Sequence, residues 1–188
     1  EIELKNGRTV CIVSDNSWKY SPSSITFNSI YGGEDEDARI TSSWKPVVIQ
    51  KGPRGVLRQQ IAQPVKMMEY FGVKSRHQLT PQQIAKASNA KHPIPAGTFV
   101  LDMGQNLAGF PQIKVSGKAG QQVRLYLSET LTAQGTCNQK QSGSPYYLNY
   151  TLSGKGEKAS DGKRIETWHP HFTYYGYRYI QVEGAVMK

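Results

Sequence analysis

The chain has 188 residues, of which 37% are hydrophobic and 10% aromatic, and it carries a formal charge of +9. That apolar content excludes a disordered chain, and no stretch approaches the ~20 consecutive apolar residues of a membrane span. Lys and Arg are scattered with no run longer than Lys163-Arg164, which reads as a solvated basic surface; neither nucleic acid nor a membrane is an expected partner.

From the N-terminus, Glu1-Ile2-Glu3-Leu4 alternates like a strand from the first residue, with no signal-peptide pattern before it, as if the chain opened inside a fold. Asn6-Gly7 then predicts a two-residue hairpin turn, with a return strand over 8–14 that places Cys11 as a small buried hydrophobe. The other cysteine, Cys137, follows a Gly-Thr turn, and the pair fits neither a disulfide framework nor a zinc site. Ile25 to Asn28 reads as a short strand. The acidic run Glu34-Asp35-Glu36-Asp37 after Gly32-Gly33 reads as a solvated loop, with oxygen ligation of Ca²⁺ as the other option. Pro and Gly cluster from Pro46 to Gly55, and a domain boundary is expected there.

Val65 to Val73 reads as a strand. Thr80-Pro81-Gln82-Gln83 is a helix start, with Thr80 as N-cap, Pro81 in the first helical position and Gln83 closing a capping box. His92-Pro93-Ile94-Pro95 keeps that helix short. Beyond Gly97 a period of two is sustained. Phe99, Leu101 and Met103 share a face, Ile113 and Val115 another, and Val123, Leu125 and Leu127 a third. Tyr146, Leu148, Tyr150 and Leu152 repeat the pattern, with Asn149-Tyr150-Thr151, a glycosylation sequon, read as an ordinary strand tripeptide. Asp161-Gly162 offers a turn, and 172–183 forms an aromatic final strand in which Gly176 marks a bulge that switches the buried face. Short strands with one wet face predict an all-β, antiparallel sandwich with one short surface helix.

Catalytic patterns are missing from the sequence: there is no phosphate loop, metal-spaced His/Cys set or nucleophile elbow. Asp102, before Gly104-Gln105-Asn106, reads as the cap of a tight turn, and Glu129 as the end of a strand. Neither makes the carboxylate pair that glycoside hydrolysis needs. His169 and His171 flank Pro170 without a third ligand in sequence, and read as surface or packing residues. Tyr174, Tyr175, Tyr177 and Tyr179 serve a core or domain interface, or a sugar-stacking platform.

The local motifs, taken in order, resemble a known family. Ile12-Val13-Ser14-Asp15-Asn16-Ser17-Trp18-Lys19, Ile25 through Glu34 and Asp37-Ala38-Arg39 are similar to the close of the N-terminal domain in bacterial α-L-rhamnosidases (glycoside hydrolase family 78). Leu101-Asp102-Met103-Gly104-Gln105-Asn106-Leu107-Ala108-Gly109-Phe110 resembles the start signature of their concanavalin-like sandwich. Leu127 to Leu131, Gly135, Tyr150 to Gly154 and Trp168 to Tyr179 resemble its later segments. The helix near Thr80 departs from the pattern as a local insertion.

The resemblance implies residues 1–45 as the end of the N-terminal β domain, or as part of the same sandwich, and 46–188 as a concanavalin-like jelly roll. It also implies a parent that hydrolyses terminal α-L-rhamnose with inversion on an (α/α)₆ barrel, and no catalytic residue carries over to this chain. The implied role is a non-catalytic accessory module whose partner is that barrel. The alternative is a carbohydrate-binding module contacting rhamnose-containing glycans. Glu34, Asp37, Trp168, Tyr175 and Tyr177 are candidate sugar or interdomain contacts, and Asp102, Gly104, Gln105, Asn106 and Gly176 shape turns. No cofactor is expected of this chain, Ca²⁺ belonging to the parent. The implied origin is bacterial, periplasmic or extracellular, with the cytoplasm as the other option.

Overall fold

The Asn6-Gly7 signal folds as a hairpin in which β1 (Ile2–Glu3) pairs antiparallel with β2 (Thr9–Val10). The Gly7 N–H donates to the Leu4 carbonyl at 2.9 Å and Gly7 takes φ 76°. The loop is therefore one residue longer than a two-residue turn, with glycine in the left-handed position that such loops require. The computed structural model describes residues 1–52, 55, 56, 58–142 and 146–185. It has two compact units, one formed by Glu1–Ser23 with Thr41–Val65 and the other by Ser24–Ile40 with Lys66–Lys188.

β3 (Lys19–Tyr20) is followed by β4 (Ile25–Ser29) and β5 (Gly33–Asp37), and β6 (Lys45–Pro46) returns to pair with β3. The first unit thus holds two separate two-stranded sheets. Cys11, expected in a core, is exposed, because strands of two residues with one neighbour each offer no second layer to cover it. Within the stretch where the boundary was expected, Pro53 and Arg54 lie outside the described residues.

The second unit contains β4 and β5 together with β7 (Ser75–Gln78), α1 (Pro81–Ala87), β8 (Phe99–Gly109), β9 (Ile113–Val115) and β10 (Gln122–Ser128). β11 (Tyr147–Thr151), β12 (Glu157–Lys158), β13 (Arg164–Trp168) and β14 (Tyr175–Glu183) complete it. The strand expected over Val65 to Val73 does not form. Its apolar residues fall in adjacent pairs such as Met67-Met68, so neither face is consistently apolar, and Ser75–Gln78 takes the edge of β8 instead. The helix does form as its sequence dictates. The Thr80 side chain accepts from the Gln83 N–H, the Gln83 side chain accepts from the Thr80 N–H, and Pro81 opens the first turn.

Seven strands make one sheet in the order β4-β5-β11-β10-β14-β8-β7, and β12-β13-β9 make a second. Every pairing is antiparallel except β5 with β11. β4 and β5 come from within the first 45 residues, yet they are strands of the larger sheet. The core lies between the two sheets. Val123, Leu125, Leu127, Leu148, Tyr150, Ile180 and Val182 face Trp168, with Ile113 and Val115 partly buried against them. These are the alternating residues that the sequence marks as one face of each strand. The result is a two-sheet β-sandwich with one short α-helix among the described residues.

Candidate functional site

The acidic run is a strand of the sandwich, where a solvated loop was expected. Because β5 pairs in register with β11, Glu34 and Glu36 share the face of Leu148 and Tyr150, while Asp35 and Asp37 face the other way. Glu34 is completely buried. Its carboxylate accepts from the His171 N–H at 2.9 Å and the Phe172 N–H at 3.0 Å, with the His171 ring 3.3 Å away. Glu36 accepts from the Trp168 indole N–H at 2.7 Å and the Ser24 hydroxyl at 2.9 Å. Together they clamp the 168–172 segment onto β5, one strand in from the sheet edge. Gly33 opens β5 at φ 98°, where a Cβ would stand 1.8 Å from the Tyr147 carbonyl oxygen. Only glycine allows β5 to come this close to β11.

Glu34, Glu36 and His171 bring donor atoms within 4.8 Å of one another. The carboxylates, however, are already surrounded by N–H and O–H donors, whose positive ends oppose a cation. Millimolar Ca²⁺ is therefore expected to leave the melting temperature unchanged; a rise of several degrees would assign the cluster to an ion.

The other expected contact residues are mostly withdrawn from solvent. Trp168 is 4% exposed and stacks on Tyr150, and Tyr177 is 2% exposed. With Glu34 fully covered, none of the three is presented to a ligand. Tyr175 stacks on Tyr146 with ring centroids 4.0 Å apart. Asp37 is held in a two-pronged pair with Arg39.

Asp102 caps the turn at Gly104, as the sequence suggests, and does more. It lies inside β8 and receives a two-pronged pair from Arg178 at 2.9 and 3.0 Å, with the Gly104 N–H donating at 2.7 Å. These bonds, Arg178's first, hold its carboxyl below the usual aspartate range. Across the β8–β14 ladder, Tyr177 pairs with Leu107 and Tyr179 with Asp102, so Met103 to Asn106 bow out opposite Arg178 alone. Gly104 takes φ 84°, whereas Asn106 adopts an ordinary backbone conformation and is exposed with Gln105. The irregularity that shifts the buried face of β14 lies at Arg178, between Tyr177 and Tyr179, and the extra residues are on β8. Gly176 pairs regularly with Ala108.

A second constellation occupies the sheet face away from the core. Asp35 stands opposite Asn149, Asn149 opposite Arg124, and Arg124 opposite Glu183, forming one polar row across four strands. Arg124 lies over the Tyr147 ring, 4.4 Å from its centroid. Glu183 accepts from the Gln181 amide at 2.8 Å and lies 3.2 Å from His92 Nε2, while the Tyr126 hydroxyl meets His92 Nδ1 at 3.2 Å. His92 thus pins its loop to the sheet. A groove of about 270 Å³ runs between Lys91, His92 and Pro93 on one side and Gln122, Arg124, Asn149 and Glu183 on the other.

Within the row, Asp35 Oδ1, Asn149 Oδ1 and Arg124 Nε are buried without a hydrogen-bond partner. Each such group costs about 1–3 kcal/mol. Burial pushes the Asp35 carboxyl up, although Arg124 draws it back. Sequence reasoning passed over this row because its members look like the wet face of alternating strands, and they meet only through the pairing of β5, β11, β10 and β14.

Known proteins share this architecture. Residues 92–188 match the bacterial alpha-L-rhamnosidase concanavalin-like domain, and residues 1–69 match the alpha-L-rhamnosidase N-terminal domain. An alpha-L-rhamnosidase of Formosa agariphila is 27% identical over 100% of this chain and 19% of its own length. One from Streptomyces avermitilis is 32% identical over 98% of the chain and 17% of its own length. The solved alpha-L-rhamnosidase from Dictyoglumus thermophilum superposes with a TM-score of 0.74 at 26% identity, covering 99% of this chain and 20% of that one. The chain therefore spans only 17% to 20% of these relatives. Two adjoining domain matches, the sandwich and the ordered motifs lead to one assignment: the chain belongs to the bacterial α-L-rhamnosidase family.

Proposed function

We propose that the chain is a non-catalytic accessory segment of an α-L-rhamnosidase, a β-sandwich that supports and orients a helical catalytic barrel elsewhere in the protein. The observation that carries this reading is how its carboxylates are used. Glu34, Glu36, Asp102 and Glu166 each accept hydrogen bonds that fix a loop or a bulge. Glycoside hydrolysis needs two carboxyl groups free to face one sugar, roughly 5–9.5 Å apart. A buried clamp cannot serve as either.

A second feature supports the docking part of this reading. Ile30 and Tyr31 are 65% and 75% exposed, and Phe172 and Tyr174 are 66% and 56% exposed. The clamp at Glu34 and the bond from the Tyr175 hydroxyl to the Ser29 carbonyl hold these two segments side by side. Clustered apolar side chains of this size favour contact with protein. Relatives several times longer have the additional mass to supply it. Incubated with an aryl α-L-rhamnoside, the purified chain is expected to release no phenol above the buffer rate. Release that scales with chain concentration would overturn the non-catalytic reading.

A further inference from the structure

The groove over the polar row plays no part in the scaffold role, and its construction is unusual for a surface that only has to be stable. Asn149 is 6% exposed, lines the groove and has an unpartnered carbonyl oxygen. Arg124, its ladder neighbour, also lines the groove and has an unpartnered Nε. Asp35 continues the row with one unpartnered oxygen. Buried polar groups are normally paired, so three adjacent exceptions call for an explanation.

The charges select the ligand class. Lys91 and Arg124 are cationic, while Glu183 and Asp35 are anionic. A free anion would be opposed by the carboxylates, and a free cation by Lys91 and Arg124. A hydroxyl group donates and accepts through a single atom. It therefore suits a row that runs carboxylate, amide, guanidinium, carboxylate across adjacent strands. Either edge of the Asn149 amide can face such a group. Pro93 and Pro95 supply an apolar wall for C–H groups. At about 270 Å³ the groove falls below the ~300–1,000 Å³ of pockets for drug-sized ligands, which leaves room for one small ring. The parts are held in place beforehand, Arg124 by the Tyr147 ring and the loop by His92.

We propose that this groove binds a single pyranose-sized polyol, its hydroxyls bridging Arg124, Asn149 and Glu183 and its C–H face resting on Pro93. The proposal stands on the groove alone and does not depend on the accessory reading. Its test is titration of the chain with L-rhamnose, D-galactose and D-galacturonate, followed by backbone and side-chain amide chemical shifts. Saturable shifts with a neutral sugar at the Asn149 amide, Lys91 and Gly184 are expected. Lys91→Ala and Gln122→Ala, both on the exposed rim, should weaken binding several-fold with the melting temperature unchanged, and Arg124→Met should abolish it. No shift with either neutral sugar up to ~100 mM would overturn the proposal, that range lying well past a millimolar Kd. Tighter binding of galacturonate would overturn the ligand class, and saturable shifts confined to another surface would overturn the site. Hydrolysis of an aryl rhamnoside bears on none of these outcomes, so the two readings fail separately.

Discussion

Replacing Glu34 with alanine is expected to lower the unfolding free energy by about 2–4 kcal/mol. The side chain is fully buried and accepts hydrogen bonds from the main-chain N–H groups of His171 and Phe172, so its removal strips two charge-assisted bonds and leaves a void beneath the 168–172 segment. Water can reach part of the freed segment, since His171 and Phe172 are themselves exposed, and this keeps the loss below that of a sealed pair. Glu34→Gln retains the volume but turns an NH₂ group toward N–H donors, and should cost about 1–2 kcal/mol. Urea denaturation gives the free energies. Hydrogen exchange of the His171 and Phe172 amides gives a local reading, which should quicken in both variants beyond the global change. A loss under ~0.5 kcal/mol for Glu34→Ala, typical of a surface position, would show that the clamp does not hold the segment.

That clamp also shows where the sequence stops being readable. Features fixed by neighbours in the chain are legible. The capping box at Thr80 and Gln83 needs three residues of context, and the alternation of Val123, Leu125 and Leu127 needs five. The acidic run has no such local reason to be buried. Its donors lie 137 and 138 residues away, and only the parallel pairing of β5 with β11 brings them together. Val65 to Val73 fails in the opposite sense, since its paired apolar residues offer no single face to a partner edge. The final strand is intermediate. Its irregularity is legible as a shift of the buried tyrosine face, but the position depends on Arg178 reaching Asp102, 76 residues distant on β8, which carries the extra residues, so Gly176 does not mark it. The polar row is illegible for the same reason as the clamp. Asp35, Asn149, Arg124 and Glu183 are ordinary strand residues until four strands align them.

Glu166→Ala is expected to cost about 3 kcal/mol, and Glu166→Gln about 1–2 kcal/mol, because the carboxylate is the shared acceptor of an otherwise unsatisfied corner. It is 6% exposed and accepts from the Tyr150 hydroxyl at 2.8 Å, the Ser153 N–H at 2.9 Å and the Gly154 N–H at 2.7 Å. Burial pushes this carboxyl up, and the bonds from Ser153, Tyr150 and Gly154 together push it further down, so the net effect is a pKa below the ordinary glutamate value of 4.5. The same contact works in reverse on Tyr150, whose hydroxyl is raised by burial and then by Glu166. A carboxyl with a lower pKa in the folded state binds protons more readily when unfolded, so stability rises with pH across the interval between the two values. The contribution of Glu166 is therefore complete above about pH 4.5 to 5 and is lost as pH falls through its depressed folded pKa. Asp102 is depressed as well, but it is present in both proteins and cancels from their difference. Denaturation of wild type and Glu166→Gln from neutral pH down to about 3 should show a gap that holds at neutral pH and narrows in acid. A gap of constant size over that range would mean that Glu166 acts by shape alone, and that its charge does nothing for the corner it holds.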